Sequence, residues 1–234
     1  MRILALECSS VSASVALTEN GRVLCSDFVR SGLTHSQTLL PMLEKMLKEN
    51  SVGIDTVDVF ACTAGPGSFT GVRIGVAAVK GLADARNKPC FAVSSLETAA
   101  YPLRDREEVV CAVMDARCNQ VYTASFYKGE RLTEDEAILI DELKEKLLGF
   151  GKSVVLTGDG AELVFSKLNG EVPSLCVIPP DECFMRASSA ALLSEEKMNA
   201  GEAPLASKRL LPVYLRVPQA QRELNNKNKL KGDK

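Results

Sequence analysis

The hydrophobic positions in the first part of the chain predict strands and helices in succession. Short apolar runs predict strands at Arg2–Leu6, Ser14–Thr18, Val23–Val29, Val57–Thr63 and Cys90–Val93. The Asn20-Gly21 pair between the second and third runs is a strong signal for a tight hairpin. Apolar residues at helical spacing predict helices over Thr34–Lys48 and Val72–Asp84. The chain therefore opens with adjacent strands and continues with helix and strand in alternation.

The second part of the chain repeats this succession. Strands are predicted at Val109–Asp115, Val121–Tyr127, Ser153–Thr157 and Leu175–Ile178, and helices over Leu143–Phe150, Ala161–Leu168 and Ser188–Asn199. The repetition predicts two related α/β lobes, one over residues 1–104 and the other over 105–218. Residues 219–234 are polar and rich in lysine, so they have little to bury and are predicted to be a disordered tail.

Composition and charge narrow the class of protein. The chain has 234 residues, 46% of them hydrophobic, and a formal net charge of −2, which gives no electrostatic indication of tight nucleic-acid binding. No apolar run reaches the roughly 20 residues of a membrane span, and the first residues do not read as a signal peptide. The 8 cysteines are scattered without a C-x-x-C pair, which favours reduced thiols over disulfides or zinc. We therefore expect a cytoplasmic protein without membrane contact.

A glycine-rich loop between a predicted strand and a predicted helix is the most specific feature. It reads Gly65-Pro66-Gly67-Ser68-Phe69-Thr70-Gly71, and Ser68 is placed to cap the helix that follows. The loop could cradle a phosphate, but it lacks the Lys-Ser/Thr end of a P-loop. The acid expected after the next strand of a dinucleotide site is also missing. Small residues on the helix, Gly75, Ala78 and Gly81, allow close contact with a phosphate, another helix or another protein.

Two carboxylates and one histidine are the remaining chemical candidates. Glu7 and Asp115 each follow the first strand of a lobe, where they could face each other across a cleft and orient a metal-bound nucleotide. They could equally cap their own turns, and the residues alone leave both interpretations open. His35 is the only histidine, and with no nearby acid to orient it, no catalytic triad is indicated.

Four motifs in order resemble the bacterial TsaB (YeaZ) family. They are Ile3-Leu4-Ala5-Leu6-Glu7-Cys8-Ser9, the glycine loop continued through Gly75, Asp115-Ala116-Arg117 and Pro212-Val213-Tyr214-Leu215-Arg216. The resemblance implies an actin-like, Hsp70-like (ASKHA) duplicated two-lobe α/β fold with mixed sheets flanked by helices. It also implies a non-catalytic scaffold for forming tRNA threonylcarbamoyladenosine. In that role the protein would bind the transferase TsaD together with the ATPase TsaE, and would pair with itself through helices of the first lobe.

The resemblance also assigns residues to two surfaces. It implies a partner interface of His35, Leu39, Leu43, Met46, Phe69, Arg73, Gly75, Ala78 and Gly81. It implies a vestigial nucleotide cleft of Glu7, Ser9, Gly65, Gly67, Ser68 and Asp115. TsaD-like proteins bind metal through H-x-x-x-H, whereas His35 is followed at the second position by Leu39, so we expect neither a metal site nor a cofactor. The family usually has Asp-Thr-Ser where this chain has Glu7-Cys8-Ser9, which displaces the carboxylate by about one methylene.

Two enzymatic alternatives remain at this stage. A nucleotide-dependent kinase or ATPase of the actin-like superfamily would use Glu7 and Asp115 to hold a metal-nucleotide. A glycopeptidase-like metallopeptidase would require bound metal. Under the scaffold interpretation, contact with tRNA is expected to be indirect or weak.

Overall fold

Two β-sheets flanked by helices make up the described molecule. The computed structural model describes residues 1–179 and 182–217, so the predicted tail at 219–234 lies outside the described residues. Within that range, no helix combines the length and apolar character needed to cross a bilayer.

The first sheet consists of β1 (Arg2–Glu7), β2 (Ala13–Glu19), β3 (Arg22–Val29), β4 (Val59–Gly65) and β5 (Cys90–Ser94). Their order across the sheet is β3-β2-β1-β4-β5. Strands β1, β2 and β3 pair antiparallel, whereas β1–β4 and β4–β5 are parallel. The hairpin predicted at Asn20-Gly21 is present, and both residues have the positive φ angles, 48° and 73°, that its tight turn requires. Helix α1 (His35–Glu49) follows β3, and helix α2 (Phe69–Asp84) follows β4.

The second sheet repeats this arrangement. After α3 (Ser95–Ala100) come β6 (Val109–Asp115), β7 (Gln120–Tyr127), β8 (Glu130–Arg131), β9 (Glu136–Leu139), α4 (Ile140–Gly149), β10 (Val154–Thr157), α5 (Ala161–Leu168) and β11 (Leu175–Val177). The order is β11-β10-β6-β7-β8, with β9 also paired to β7. Strands β8 and β9 both pair with β7, and when they are counted together as the third strand of the lobe, both sheets have the order 3-2-1-4-5. The predicted duplicated two-lobe fold is confirmed.

The lobe boundary differs from the predicted division at residues 104 and 105. Leu96, Ala99 and Ala100 of α3 pack into the core of the second sheet, although they precede the predicted boundary. Helix α6 (Ala187–Asn199) packs against the first sheet, although the predicted division places it in the second lobe. Each sheet therefore completes its core with a helix from the other part of the chain.

Helix α6 packs on the first sheet because both faces of that sheet are apolar. Successive side chains of a strand point to opposite faces, so Leu4 and Leu6 of β1 pack with α1 and α2. Ile3 and Ala5 point to the other face, where α6 covers them. A sheet with two apolar faces needs helices on both, and α1 and α2 cover only one.

Candidate functional site

A cleft between the lobes contains part of the predicted nucleotide site. Its volume is about 330 Å³, and its lining comprises Ser9, Ser10, Val11, Gly67, Ser68, Phe69, Met114, Asp115, Ala116, Arg117, Tyr122 and Asp159. Four of the residues that the resemblance assigns to a nucleotide cleft line this cleft, namely Ser9, Gly67, Ser68 and Asp115. Glu7 and Gly65 are buried behind it and are not part of its lining.

The glycines of the loop serve contacts inside this chain. A Cβ atom at Gly67 would collide with the carbonyl oxygen of Ser9, and one at Gly71 would collide with that of Cys8. The Ser68 N–H donates to the Ser9 carbonyl at 2.7 Å, and the Ser68 hydroxyl accepts from the Gly71 N–H, the predicted helix cap. The loop is thus pressed against the turn after β1, and this packing accounts for glycine at these positions without a phosphate.

Glu7 is a buried carboxyl group with one unsatisfied oxygen. Its Oε1 accepts from the Ser9 N–H at 2.7 Å and from the Ser9 hydroxyl at 2.5 Å, while Oε2 has no hydrogen-bond partner. Burial, and to a smaller extent repulsion from Asp159, raises the pKa of Glu7 from 4.5 to about 7, against the lowering effect of the Ser9 hydrogen bonds. The turn-cap interpretation left open above therefore holds for the Oε1 atom of Glu7.

Asp115 caps its own turn and forms an ion pair. It accepts from the Arg117 N–H at 2.7 Å and pairs with the Arg117 guanidinium at 3.0 Å. The Asp115 N–H in turn donates to Asp159 at 3.3 Å. Among the described residues that line the cleft, Arg117 is the only one with a basic side chain, and it is paired with this carboxylate.

The sequence interpretation did not identify Asp159 as part of the cleft. It lies in the turn Gly158-Asp159-Gly160 after β10, the strand that corresponds to β4 in the first lobe. A Cβ atom at Gly158 would collide with the Val113 carbonyl, just as one at Gly67 would collide with the Ser9 carbonyl. Burial, and then the Asp115 charge, raises the pKa of Asp159 to about 6. The repeat of a glycine turn after the fourth strand of each lobe was the signal that could have revealed it.

His35 holds a turn of the cleft wall. Its Nε2 atom lies 2.8 Å from the Ser10 carbonyl oxygen, so this ring nitrogen carries the hydrogen. Across residues 1–179 and 182–217, no three His, Cys, Asp or Glu side chains are grouped as ligands of a metal ion.

The predicted partner interface needs correction at several residues. Leu39, Leu43 and Met46 are only 1%, 3% and 2% exposed, because the apolar stripe of α1 covers its own sheet. Gly75 is also buried, and a Cβ there would lie 3.1 Å from the Cys8 sulfur. These residues pack within their own lobe and offer a partner little side-chain surface.

The exposed face of these helices consists of other residues. Leu40 on α1 is 49% exposed, and it borders a groove lined with Leu43, Glu44, Leu47, Lys48, Val52, Ile54 and Leu82. His35 on α1 and Phe69 and Ala78 on α2 are half-buried. On α2, Arg73, Ala77 and Gly81 are exposed at intervals of four residues. We call Leu40 and this row of α2 residues the helical face.

The C-terminal segment adds a neighbour that the sequence did not predict. The phenol ring of Tyr214 stacks on Phe69 with ring centroids 4.8 Å apart, and its hydroxyl accepts from the Arg73 Nε–H at 2.7 Å. Nearby, the Val213 N–H donates to the Ala64 carbonyl at 2.7 Å. The segment thereby joins the cleft loop to the helical face.

Two lobes with the same 3-2-1-4-5 sheet, enclosing a cleft at the ends of their first and fourth strands, define the actin-like class of proteins. The family model of the tRNA N6-adenosine threonylcarbamoyltransferase TsaD matches residues 30–157. The chain is 32% identical over 97% of its length to the whole of the Escherichia coli tRNA threonylcarbamoyladenosine biosynthesis protein TsaB. The Bacillus subtilis TsaB is 29% identical over 94% of this chain and 96% of its own.

A solved structure agrees with these sequence relatives. A Pseudomonas aeruginosa protein described as similar to the peptidase YeaZ superposes with a TM-score of 0.78 and 30% identity, covering 92% of this chain and 99% of its own. The chain therefore belongs to the TsaB (YeaZ) family.

Proposed function

We propose that this chain is a cytoplasmic, non-catalytic scaffold required for forming N6-threonylcarbamoyladenosine in tRNA. It binds a TsaD-like transferase through the helical face, and a TsaE-like ATPase joins the complex. The names of its relatives support the pathway. The observation that carries the binding mode is that α1 and α2 lie inside the region matched by the TsaD model.

Shared ancestry of the two subunits explains why this face would be used. A transferase built on the same lobe presents equivalent helices, and two related faces can pack about a pseudo-two-fold axis, as in an isologous dimer. Ala77 and Gly81 allow close approach of a helix, and Leu40 supplies apolar area that water otherwise covers. The same argument applies to a second copy of this chain, so self-association competes with transferase binding.

The cleft supports the non-catalytic part of the proposal. Asp115 and Asp159 oppose an anionic ligand by charge repulsion, and the one guanidinium among the described lining residues is paired with Asp115. His35, the residue that aligns with the metal-binding motif of TsaD-like proteins, is bound to a backbone carbonyl. The residue at the second ligand position, Leu39, lies in the core.

A nucleotide-dependent enzyme of the actin-like class is the alternative that a specific observation favours. The Oε2 atom of Glu7 is unsatisfied, and Asp159 is close enough to raise the pKa of Glu7 by charge repulsion, so a magnesium-nucleotide could neutralise this pair of carboxyl groups. Calorimetric titration of the isolated chain with Mg-ATP distinguishes the two functions. The scaffold proposal expects no heat of binding, whereas saturable micromolar binding supports the enzyme.

Reconstitution of the modification tests the function directly. The reaction contains the transferase, the ATPase, the adenylate-forming enzyme and tRNA, with or without this chain. We expect threonylcarbamoylated tRNA only when the chain is present, and no product from the chain alone. Equal product without it would overturn the proposal.

A matched pair of leucines tests the binding surface. Leu40 on α1 and Leu148 on α4 are 49% and 40% exposed, and arginine has nearly the same helix propensity as leucine. We expect Leu40→Arg to weaken transferase binding by at least about tenfold, the effect of losing a central apolar contact. Leu148→Arg should change it less than about twofold. Biolayer interferometry with the immobilised transferase measures both, and equal affinities would argue against the helical face.

A further inference from the structure

Arg73 is held in one orientation by residues distant in sequence. Its Nε–H donates to the Tyr214 hydroxyl at 2.7 Å, and its guanidinium carbon lies 5.9 and 5.4 Å from the ring centroids of Phe69 and Tyr214. A free surface arginine samples many rotamers, and fixing one of them on binding costs side-chain entropy. Here part of that ordering exists before any partner arrives.

The segment that carries Tyr214 is hydrogen-bonded to both lobes, on either side of the tyrosine. The Val213 N–H donates to the Ala64 carbonyl, and the Val213 carbonyl occupies the space that a side chain at Gly65 would need. On the other side, the Arg216 guanidinium donates to the carbonyls of Ala116 and Arg117 in the second lobe. Tyr214 is therefore a fixed support for Arg73.

The charge of Arg73 has no counterpart within the part of the chain that the structure describes. Among residues 1–179 and 182–217, no carboxylate lies within ion-pair distance of it, and the terminal Nη groups have no hydrogen-bond partner. Two Nη groups in one plane match the two oxygens of a carboxylate. Tyr214 is 41% exposed, and Leu211 and Val213 of the same segment are 64% and 49% exposed, so the segment that contacts Arg73 also carries exposed apolar side chains.

Phe69, Arg73 and Tyr214 form a cluster, and this cluster shares Arg73 with the helical face. Phe69, Arg73, Ala77 and Gly81 follow one another at intervals of four residues along α2, so a partner lying on the small residues reaches the arginine. Arginine and tyrosine are the residue types that carry most binding energy in interfaces, especially when a partner excludes water from them.

We propose that Phe69, Arg73 and Tyr214 form a preorganised anchor that receives a carboxylate side chain of the transferase, with Tyr214 as the positioning residue for Arg73. This inference rests on the function proposed above. A nucleic-acid phosphate is disfavoured as the occupant because this cluster contains a single cation, and phosphate backbones are bound by several.

A double-mutant cycle on Arg73 and Tyr214 tests the anchor. Transferase affinity is measured for Arg73→Ala, Tyr214→Phe and the double variant, because Tyr214→Phe removes only the hydroxyl and keeps the stacked ring. We expect losses of about tenfold or more for Arg73→Ala and about three- to tenfold for Tyr214→Phe. The double variant should lose no more than Arg73→Ala alone, since the hydroxyl acts through the arginine. Arg73→Lys should not restore binding, because an ammonium lacks the planar pair of donors.

Tyr127→Phe is the matched control. It removes a phenol hydroxyl that accepts from Lys152 at 3.2 Å on the second lobe, away from the helical face. We expect unchanged affinity, and the melting temperature of every variant confirms that it is folded.

The outcomes separate the two proposals. If Arg73→Ala and Tyr214→Phe act additively or not at all while Leu40→Arg still weakens binding, the anchor is wrong and the helical face stands. If none of the three affects binding, the proposed interface fails as well. Loss of tRNA retention with unchanged transferase affinity would identify a phosphate as the occupant and overturn the carboxylate.

Discussion

At the scale of single residues, Glu7 shows how burial changes chemistry that the sequence only suggests. A carboxylate after a strand reads as a ligand or a turn cap, and one oxygen of Glu7 does cap the turn at Ser9. The other oxygen is buried without a partner, so the neutral acid is favoured over the carboxylate. The pKa of about 7 that results makes the stability of the fold depend on pH.

Glu7→Gln should therefore stabilise the protein more at pH 8 than at pH 5. The unfolded chain releases this proton near pH 4.5 and the folded chain near pH 7, so wild-type stability falls as pH rises between these values and levels off above them. A shift of this size corresponds to roughly 3 kcal/mol, and glutamine removes the titration. Urea unfolding at both pH values measures the difference.

Glu145→Gln, at an exposed position on α4, is the control and should give the same small change at both pH values. An effect of Glu7→Gln that does not depend on pH would contradict the raised pKa. The raised pKa of Asp159 also lowers stability as pH rises. The Glu7→Gln variant should therefore keep a weaker dependence of stability on pH.

At the scale of elements, the glycines of α2 have different surroundings although they lie in one helix. Gly71 meets the Cys8 carbonyl at the cleft, whereas Gly81 has open space around it. The small-residue pattern predicted close contacts along the helix, but its spacing does not say which glycines face their own lobe. Gly75 faces inward, and Ala77 and Gly81 face outward.

Alanine substitutions should separate these glycines by the sign of their effect. Gly71→Ala should destabilise the protein by about 2 kcal/mol or more, because the new methyl group meets rigid backbone. Gly81→Ala should stabilise it by about 0.5–1 kcal/mol through helix propensity alone. Thermal unfolding by circular dichroism gives both values, and a stabilising Gly71→Ala would show that the contact with Cys8 is looser than described.

At the scale of the whole molecule, the lobes are interleaved rather than consecutive. Helix α6 returns to the first sheet, and Leu210 is buried in the core that α1 and α2 form. Glu97 on α3 pairs with Arg131 of β8 and with Lys197 of α6, each at 3.1 Å, so one carboxylate ties three elements together. Such partly buried networks couple the elements that they join.

Residues 1–104 alone should accordingly fail to fold. Without α6, the apolar side chains Ile3, Ala5, Val59 and Phe91 lose their cover, and an uncovered sheet face removes much of the hydrophobic stabilisation. Circular dichroism of this fragment should show no cooperative thermal transition, whereas the full chain should show one. A sigmoidal melting curve for the fragment would mean that the first lobe is autonomous.

The sequence by itself determined the elements and their repetition. Apolar periodicity located β6 and α5 within the observed bounds, and the hairpin and the Ser68 cap followed from local backbone requirements. These features depend on neighbours in the chain, which a sequence displays directly. Motifs resembling the TsaB family then indicated the duplicated two-lobe fold.

Tertiary structure alone decided which side of each element is free. Leu39 and Leu40 are adjacent and equally apolar, yet one is in the core and the other at the surface, because the sheet lies on one side of α1. Tyr214 reaches Arg73 from 141 residues away in the chain, and Asp159 comes from the other lobe. Contacts of this kind arise when distant segments pack to cover both faces of a sheet, and no spacing along the chain records them.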